Sequence, residues 1–322
     1  MPSLQAFHRW EDEITKILGI VEIIVDGKKL DDLKASASVA IPDGAKVQVV
    51  FYVKPAIECV SRCYQLLRIE LSDVLTEIPI RAFDGCCELR DVAIPRSVKK
   101  IRDEAFAGCN SLTTLTIPSS VKEIGARVFK ACSSLTALNL KASLTEIPAY
   151  AFARCICLTN FTIPESVQRI GEGAFSGCSS LKSLTIPESV VEIGNRAFDD
   201  CSSLTRLAIP DSVKYIGGGA FAGCSSLDRL TMPMSLTQLG YDAFAGCRSL
   251  TNLSIPGSVT YIGCTAFAGC IALTSLTIPD SVREIGPFAF RDCRSLTKLT
   301  IPASVKTIRH GAFDGCSALT HL

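Results

Sequence analysis

Histidine, methionine and tryptophan are scarce in this sequence of 322 residues, with three, three and one of each. None of the histidines (His8, His310 and His321) stands beside a serine or cysteine nucleophile in a recognisable catalytic motif. A phosphate-binding glycine loop and the paired short spacings of a zinc site are also missing. The sequence therefore predicts a protein that is not an enzyme and that holds neither a cofactor nor a metal.

An excess of charge of either sign is lacking as well. The 33 Lys and Arg residues nearly balance the 32 Asp and Glu residues, for a formal net charge of +1. So small a net charge does not favour nucleic acid or an acidic membrane as a partner. The longest apolar stretch near the start, residues 17–25, is interrupted by Glu22 and follows a charged run, so neither a signal peptide nor a membrane span is predicted. We expect a cytoplasmic protein, or a surface protein if the sequence begins further upstream.

What the sequence does contain is a strict repeat of 23 residues. Phenylalanine recurs at this spacing eleven times from Phe83 to Phe313. Rows of cysteine (Cys63 to Cys316) and leucine (Leu66 to Leu319) keep the same frame. A fixed period of about 20 to 29 residues indicates a solenoid, in which each repeat buries its apolar side chains against its neighbours.

The sixteen cysteines mostly follow this repeat, and eleven of them recur once per repeat at positions 86 to 316. One cysteine per repeat is typical of a core position, because free cysteine is among the most often buried residue types. Disulfides between neighbouring repeats are an alternative if their Cα atoms lie within about 4.4 to 6.8 Å. Cys87, Cys157 and Cys264 stand outside the pattern.

Each repeat is predicted to contain one half-buried strand. In residues 112–117 (LTTLTI), Leu112, Leu115 and Ile117 alternate with threonines, which is the period of two that a strand requires. The proline that follows in most repeats ends strand pairing because it has no N–H group. A second apolar pair then leads to a glycine, which we interpret as a tight turn. The segment that holds the phenylalanine and cysteine is interpreted as a helical or 3-10 turn on the outer side.

The pattern Leu-x-x-Leu-x-Ile-Pro-x-x-Val-x-x-Ile-Gly-x-x-Ala-Phe-x-x-Cys, found in residues 181–201 and 250–270, resembles the BspA-like class of leucine-rich repeat. The resemblance covers residues 63–322. It implies an α/β solenoid, a curved right-handed superhelix with a parallel β-sheet on the concave face and short helical or 3-10 turns on the convex face. It also implies a protein-binding role and, in many members, adhesion at a cell surface.

Two parts are predicted along the chain. Residues 1–60 form an N-terminal α/β capping segment, and residues 61–322 form the solenoid, with about eleven full repeats and a truncated one. In the N-terminal part we expect an amphipathic helix over 7–18 and strands within 21–32 and 40–54, an order that resembles part of a ubiquitin-like β-grasp domain. The last repeat stops within its strand, so self-association through that end is predicted.

Strand alternation also predicts which side chains point outwards from the concave sheet. The first outward row varies in residue type, and the second is nearly all small and hydroxylic. A variable row on a fixed scaffold is what a recognition surface needs. We therefore predict a non-enzymatic scaffold that binds a protein partner through Asn160, Ser183, Arg206, Arg229, Asn252, Ser275 and Lys298, together with Thr162, Thr185, Thr231 and Thr277.

Arg206 and Arg229 are the strongest charge feature of this surface. They fall on adjacent strands, about 4.8 Å apart, and favour an anionic group on the partner. The alternative is a solvated pair that Asp211 and Asp228 partly neutralise. Two other functions stay open: a cell-surface adhesin of the BspA-like type, and ice binding through the threonine row. The recurrence of threonine in that row is also explained by its high propensity for exposed strands.

Overall fold

The computed structural model describes residues 21–25, 28–29, 47–51, 61, 66–71 and 73–320. They form a parallel-strand β-solenoid of about ten coils. The chain divides into two compact units, residues 1–143 and 144–322, and each is described by itself.

Every full coil contributes two short strands, a longer one from the predicted strand and a second one of two residues. Unit 1 contains β1 (Val21–Val25), β2 (Lys28–Lys29), β3 (Val47–Phe51), β4 (Leu66–Glu70), β5 (Glu77–Ile78), β6 (Asp91–Ala93), β7 (Lys100–Ile101), β8 (Thr114–Ile117), β9 (Glu123–Ile124) and β10 (Ala137–Leu140). Unit 2 contains β11 (Glu146–Ile147), β12 (Asn160–Thr162), β13 (Arg169–Ile170), β14 (Ser183–Thr185), β15 (Glu192–Ile193), β16 (Arg206–Ala208), β17 (Tyr215–Ile216), β18 (Arg229–Thr231), β19 (Gln238–Leu239), β20 (Asn252–Ser254), β21 (Tyr261–Ile262), β22 (Ser275–Thr277), β23 (Glu284–Ile285), β24 (Lys298–Thr300) and β25 (Thr307–Ile308).

In unit 2 the two kinds of strand form separate parallel sheets. The longer strands pair in the orders β12-β14-β16-β18 and β20-β22-β24, and the two-residue strands in the orders β11-β13-β15-β17 and β19-β21-β23-β25. Each pairing joins residues 23 positions apart, as in Arg206 with Arg229 and Glu192 with Tyr215. The repeat length therefore sets the register of both sheets.

Unit 1 adds a sheet that combines the first coils with N-terminal strands. Its order is β2-β1-β3-β4-β6, in which β1 runs antiparallel to β2 and β3, while β3 runs parallel to β4. The strands predicted within 21–32 and 40–54 are thus confirmed. The helix predicted over 7–18 lies outside the described residues. The boundary at residue 60, the capping role and the β-grasp resemblance remain predictions.

The core of each coil consists of the Leu, Ile, Val, Phe and Cys columns that the sequence predicts. The rings of Phe175, Phe198 and Phe221 are fully buried and stacked, with neighbouring centroids 5.2 Å apart and planes within 4° of parallel. The thiol of Cys201 donates a hydrogen bond to the carbonyl oxygen of Phe175 at 3.3 Å, and Cys224 does the same to Phe198. All fourteen described cysteines are free thiols in this structure, and the eleven that recur once per repeat are buried, so the core interpretation of those eleven is confirmed.

The segment between the second strand and the cysteine is a run of turns. No helix occurs in the described part of the chain, so the helical or 3-10 turns and the α/β class are wrong there. In residues 194–201, the N–H groups of Arg196, Phe198 and Asp200 bond to carbonyls of the next coil at 2.7–2.9 Å. The N–H groups between them bond three residues back within the coil.

Backbone angles explain why these turns do not become a helix. Arg196 and Asp200 have φ values of 53° and 56°, in the left-handed region, and the same two positions of other coils are also left-handed. A residue with positive φ interrupts the right-handed path of an α-helix, and its repetition every four residues turns alternate N–H groups towards the neighbouring coil.

In most coils a glycine follows the second strand and opens the run of turns, as predicted, and it is also needed for close packing between coils. A Cβ atom on Gly194 would lie 2.8 Å from the backbone nitrogen of Glu172 in the preceding coil. A Cβ atom on Gly217 would lie 2.4 Å from that of Asn195. Both glycines have ordinary φ values, so space and not backbone freedom excludes a side chain there.

Candidate interaction surfaces

Outward side chains of the longer strands in unit 2 form a surface that we call the first face. Along each strand the residue between two exposed side chains is turned into the core, as in Arg206–Ala208 and Asn252–Ser254. The structure exposes ten of the predicted partner-binding residues and half-buries Ser275. It places Asn160, Thr162, Ser183, Thr185, Arg206, Arg229 and Thr231 on one four-stranded sheet, and Asn252, Ser275, Thr277 and Lys298 on a three-stranded one.

Hydrogen bonds orient several polar side chains at the edge of the first face. The amide nitrogens of Asn160 and Asn252 donate to the hydroxyls of the preceding threonines, at 3.3 and 3.4 Å. Thr274 and Thr297 donate from their hydroxyls to a main-chain carbonyl of the preceding coil, at 3.4 and 3.2 Å. These contacts hold the polar groups in fixed positions without removing them from solvent.

Arg206 and Arg229 lie directly beside each other on the paired strands β16 and β18, and both are exposed. Neither makes a salt bridge or a side-chain hydrogen bond with any described residue. The carboxylate of Asp211, expected to neutralise them, instead accepts a hydrogen bond from the backbone nitrogen of Met234 at 2.7 Å. Asp228 forms no ion pair with a described residue either, so partial neutralisation by these two carboxylates, which stays the alternative, involves no direct salt bridge in the described part of the chain.

Outward side chains of the two-residue strands form a second face, which the sequence prediction missed. Glu146, Arg169, Glu192 and Tyr215 stand side by side on β11, β13, β15 and β17. Arg169 binds Glu146, with Nη2 2.6 Å from Oε2. The available signal was the recurrence, in every repeat, of a polar residue or tyrosine or threonine directly before an isoleucine or leucine, although two residues within one repeat are too few to show a strand period.

A groove of about 360 Å³ runs along this second face. Small residues of the lining form its floor: Pro148, Gly171 and Gly194 directly follow the strands, and Ala149 stands one residue further along, in line with Glu172 and Asn195. The hydroxyl of Tyr150 donates a hydrogen bond to Glu172 at 2.5 Å, and the amide oxygen of Asn195 accepts one from the backbone nitrogen of Gly218 at 2.8 Å. The groove thus has small residues along its floor and polar groups held by hydrogen bonds beside it.

Burial favours the protonated form of two thiols in the cysteine column. Burial raises the pKa of Cys224 and of Cys270 to about 12, because a thiolate there would lose its hydration. Cys87, Cys157 and Cys264 are half-buried. Among the described side chains, no group of three His, Cys, Asp or Glu residues could hold a metal ion.

The repeat geometry agrees with a comparison against known families. A model described as the BspA type leucine-rich repeat region matches in six copies, over residues 57–157, 145–263 and 237–322. The chain belongs to the BspA type leucine-rich repeat family. Members of this family are repeat proteins and are not known as enzymes. Among proteins of curated function, none matches the sequence.

Solved structures of leucine-rich repeat proteins from several bacteria are similar to this chain. A leucine-rich repeat protein from Bacteroides ovatus is 25% identical, with a TM-score of 0.65 and 92% of each chain covered. One from Eubacterium ventriosum is 20% identical, with a TM-score of 0.53 and 94% of this chain and 97% of that chain covered. A leucine-rich cell surface protein from Faecalibacterium prausnitzii is 26% identical, with a TM-score of 0.49 and 89% and 94% covered. In the described part of this family member, no helix has the length and apolarity to cross a membrane.

Proposed function

We propose that this BspA type repeat chain is a non-enzymatic interaction protein that binds a partner protein through the first face, from Asn160 to Lys298. The observation that carries the proposal is the pair of exposed arginines, Arg206 and Arg229, which form no salt bridge with a described side chain. Two like charges on neighbouring strands raise the free energy of the unbound surface. An anionic group on the partner would relieve this repulsion and form charge-assisted hydrogen bonds.

The scaffold beneath these residues supports the proposal. The inward residues of the same strands, Leu207 and Leu253, are 3% and 8% exposed, so the backbone of the face is anchored in the core. Substitution of an outward side chain therefore changes recognition without changing the fold. Threonine and serine hydroxyls beside the arginines supply donors and acceptors that orient a polar partner surface.

The test is capture of a partner from an extract of the native source by immobilised protein. The double variant Arg206→Glu and Arg229→Glu should lose the captured partner, while its unfolding temperature stays close to that of the parent chain. The matched control is Arg154→Glu with Arg196→Glu, two exposed arginines on the turn segment of the same unit. Retention of the partner by the first-face variant, or its loss from the control as well, contradicts the proposal.

A second candidate is a cell-surface adhesin, which membership of the BspA type family favours. The same first face would then bind a ligand outside the cell, in place of a cytoplasmic partner. Antibody labelling of intact and permeabilised cells separates the two locations. Ice binding through the threonine row is the third candidate, and it requires thermal hysteresis in a solution of the purified chain. Ala208 interrupts that row on β16.

A further inference from the structure

The groove of the second face lies on a different surface from the proposed partner-binding strands. It is formed by four neighbouring coils of unit 2 and is lined along its length by Glu146, Arg169, Glu172, Glu192 and Tyr215. Three carboxylates and one guanidinium give this lining a formal net charge of −2, whereas the first face carries the exposed pair Arg206 and Arg229. A ligand of the groove should therefore carry positive charge.

The carboxylates of the groove differ in whether a side chain of this protein already binds them. The guanidinium of Arg169 is bound to Glu146 at 2.6 Å, and Tyr150 donates its hydroxyl hydrogen to Glu172. Glu192 is exposed and forms no salt bridge or side-chain hydrogen bond with a described residue. Its carboxylate is thus the acceptor that a ligand can engage without breaking an existing contact.

Tyr215 provides an aromatic surface directly beside this carboxylate. Glu192 and Tyr215 are register partners on β15 and β17, and the tyrosine is 52% exposed. A cation placed over the face of an aromatic ring is attracted by the ring quadrupole, and a planar guanidinium can stack there while it donates to a carboxylate. The chain already contains such a contact, since the guanidinium carbon of Arg291 lies 5.5 Å from the ring centroid of Phe288.

We propose that the groove binds an arginine side chain of a partner protein, with the guanidinium stacked on Tyr215 and donating to Glu192. The floor of glycine, alanine and proline leaves room for the aliphatic part of that side chain. Glu172 adds attraction from the neighbouring coil, and the charges of Arg169 and Glu146 offset each other in their salt bridge. Glutamate or aspartate side chains are excluded by the same charges.

The probe for the test is the tripeptide acetyl-Gly-Arg-Gly-amide, added to the full chain labelled with nitrogen-15. Saturable changes in amide chemical shift are expected at Gly194 and Tyr215. The variant Glu192→Gln keeps the shape of the side chain and should weaken binding by about two- to fivefold, as the loss of an exposed ion pair predicts. The control variant Glu188→Gln removes an exposed carboxylate from the same coil outside the groove lining and should leave binding unchanged.

Three results would overturn the proposal. One is the absence of any saturable shift at about 10 mM tripeptide, a concentration that reveals even weak binding. Another is equal binding of acetyl-Gly-Glu-Gly-amide or of a neutral trisaccharide, which would show that charge does not select the ligand. The third is unchanged binding in Glu192→Gln. Because Arg206 and Arg229 are absent from the groove lining, their double variant should bind the tripeptide normally, so failure here and failure of the first face are distinguishable.

Discussion

Replacement of Phe198 by alanine tests the central packing of the coils. The ring is fully buried and is stacked between Phe175 and Phe221, with both centroid distances 5.2 Å. Removal of a buried phenylalanine ring costs about 3 to 5 kcal/mol, because it loses the transfer free energy of the ring and leaves a cavity. Each stacked neighbour contributes about 0.5 to 1.5 kcal/mol beyond area burial, which places Phe198→Ala towards the upper part of that range.

The assay is equilibrium unfolding in urea, followed by circular dichroism, for the parent chain and three variants. Phe198→Leu retains most of the apolar volume, so it should cost less than Phe198→Ala. Val191→Ala is the control in the same coil, since Val191 is 41% exposed, and it should change the free energy of unfolding by less than about 0.5 kcal/mol. A loss below about 1 kcal/mol for Phe198→Ala would refute the reasoning, because it would mean that the ring does not occupy a dry, close-packed site.

Two further predictions concern charge and thiols. Arg81 donates a hydrogen bond to Glu104 at 2.6 Å and lowers the pKa of that carboxyl, with the charge of Arg127 adding to the effect. Glu104 therefore stabilises the fold at pH values above its unfolded pKa of about 4.3, and this contribution is lost as the pH falls through the lower folded pKa. Glu104→Gln should thus lower the free energy of unfolding at pH 7, with the difference from the parent chain shrinking in acid; a difference that grows in acid would contradict this sign. Iodoacetamide added to the native protein should alkylate the half-buried thiols of Cys87, Cys157 and Cys264 before the buried thiols of the repeated cysteines, such as Cys224, as mapped by mass spectrometry. Alkylation of Cys224 at the same rate would show that the core opens.

The columns of buried residues were predictable because their chemistry leaves little choice. A position such as Phe198 or Cys201 faces the same neighbours in every coil, so the same residue type recurs every 23 residues. The longer strands were predictable from the alternation of apolar and polar residues. The second strands escaped detection because two residues, such as Glu192 and Ile193, are too few to show a period.

The turn segment was mispredicted because its conformation depends on single backbone angles. Arg196 and Asp200 adopt positive φ values that most side chains avoid. Glycine stands at the same positions of the next coil, as Gly219 and Gly223. This mixture of glycine and other residues in one column was the available sign of left-handed backbone.

The candidate surfaces were predictable only in part. Alternation correctly placed Arg206 and Arg229 outwards, because the inward residue of each strand is fixed by the core. Whether Asp211 would reach them depended on the loop after the proline, where its carboxylate turned to a backbone N–H group instead. The groove was missed because it arises from the spacing between coils and from the small residues along its floor, and neither follows from one repeat alone.

The hydrogen bonds between coils in unit 2 restrict how such a sequence can change in length. Most neighbouring coils are joined by the same pattern of backbone donors and acceptors in both sheets and in the turn segment. Removal or duplication of 23 consecutive residues would leave each backbone donor opposite an acceptor. Loss of a single residue would instead displace the downstream donors and acceptors in both sheets and in the turn segment. Growth and shrinkage by whole coils, with substitution confined to outward positions, is therefore the route of change that this architecture permits.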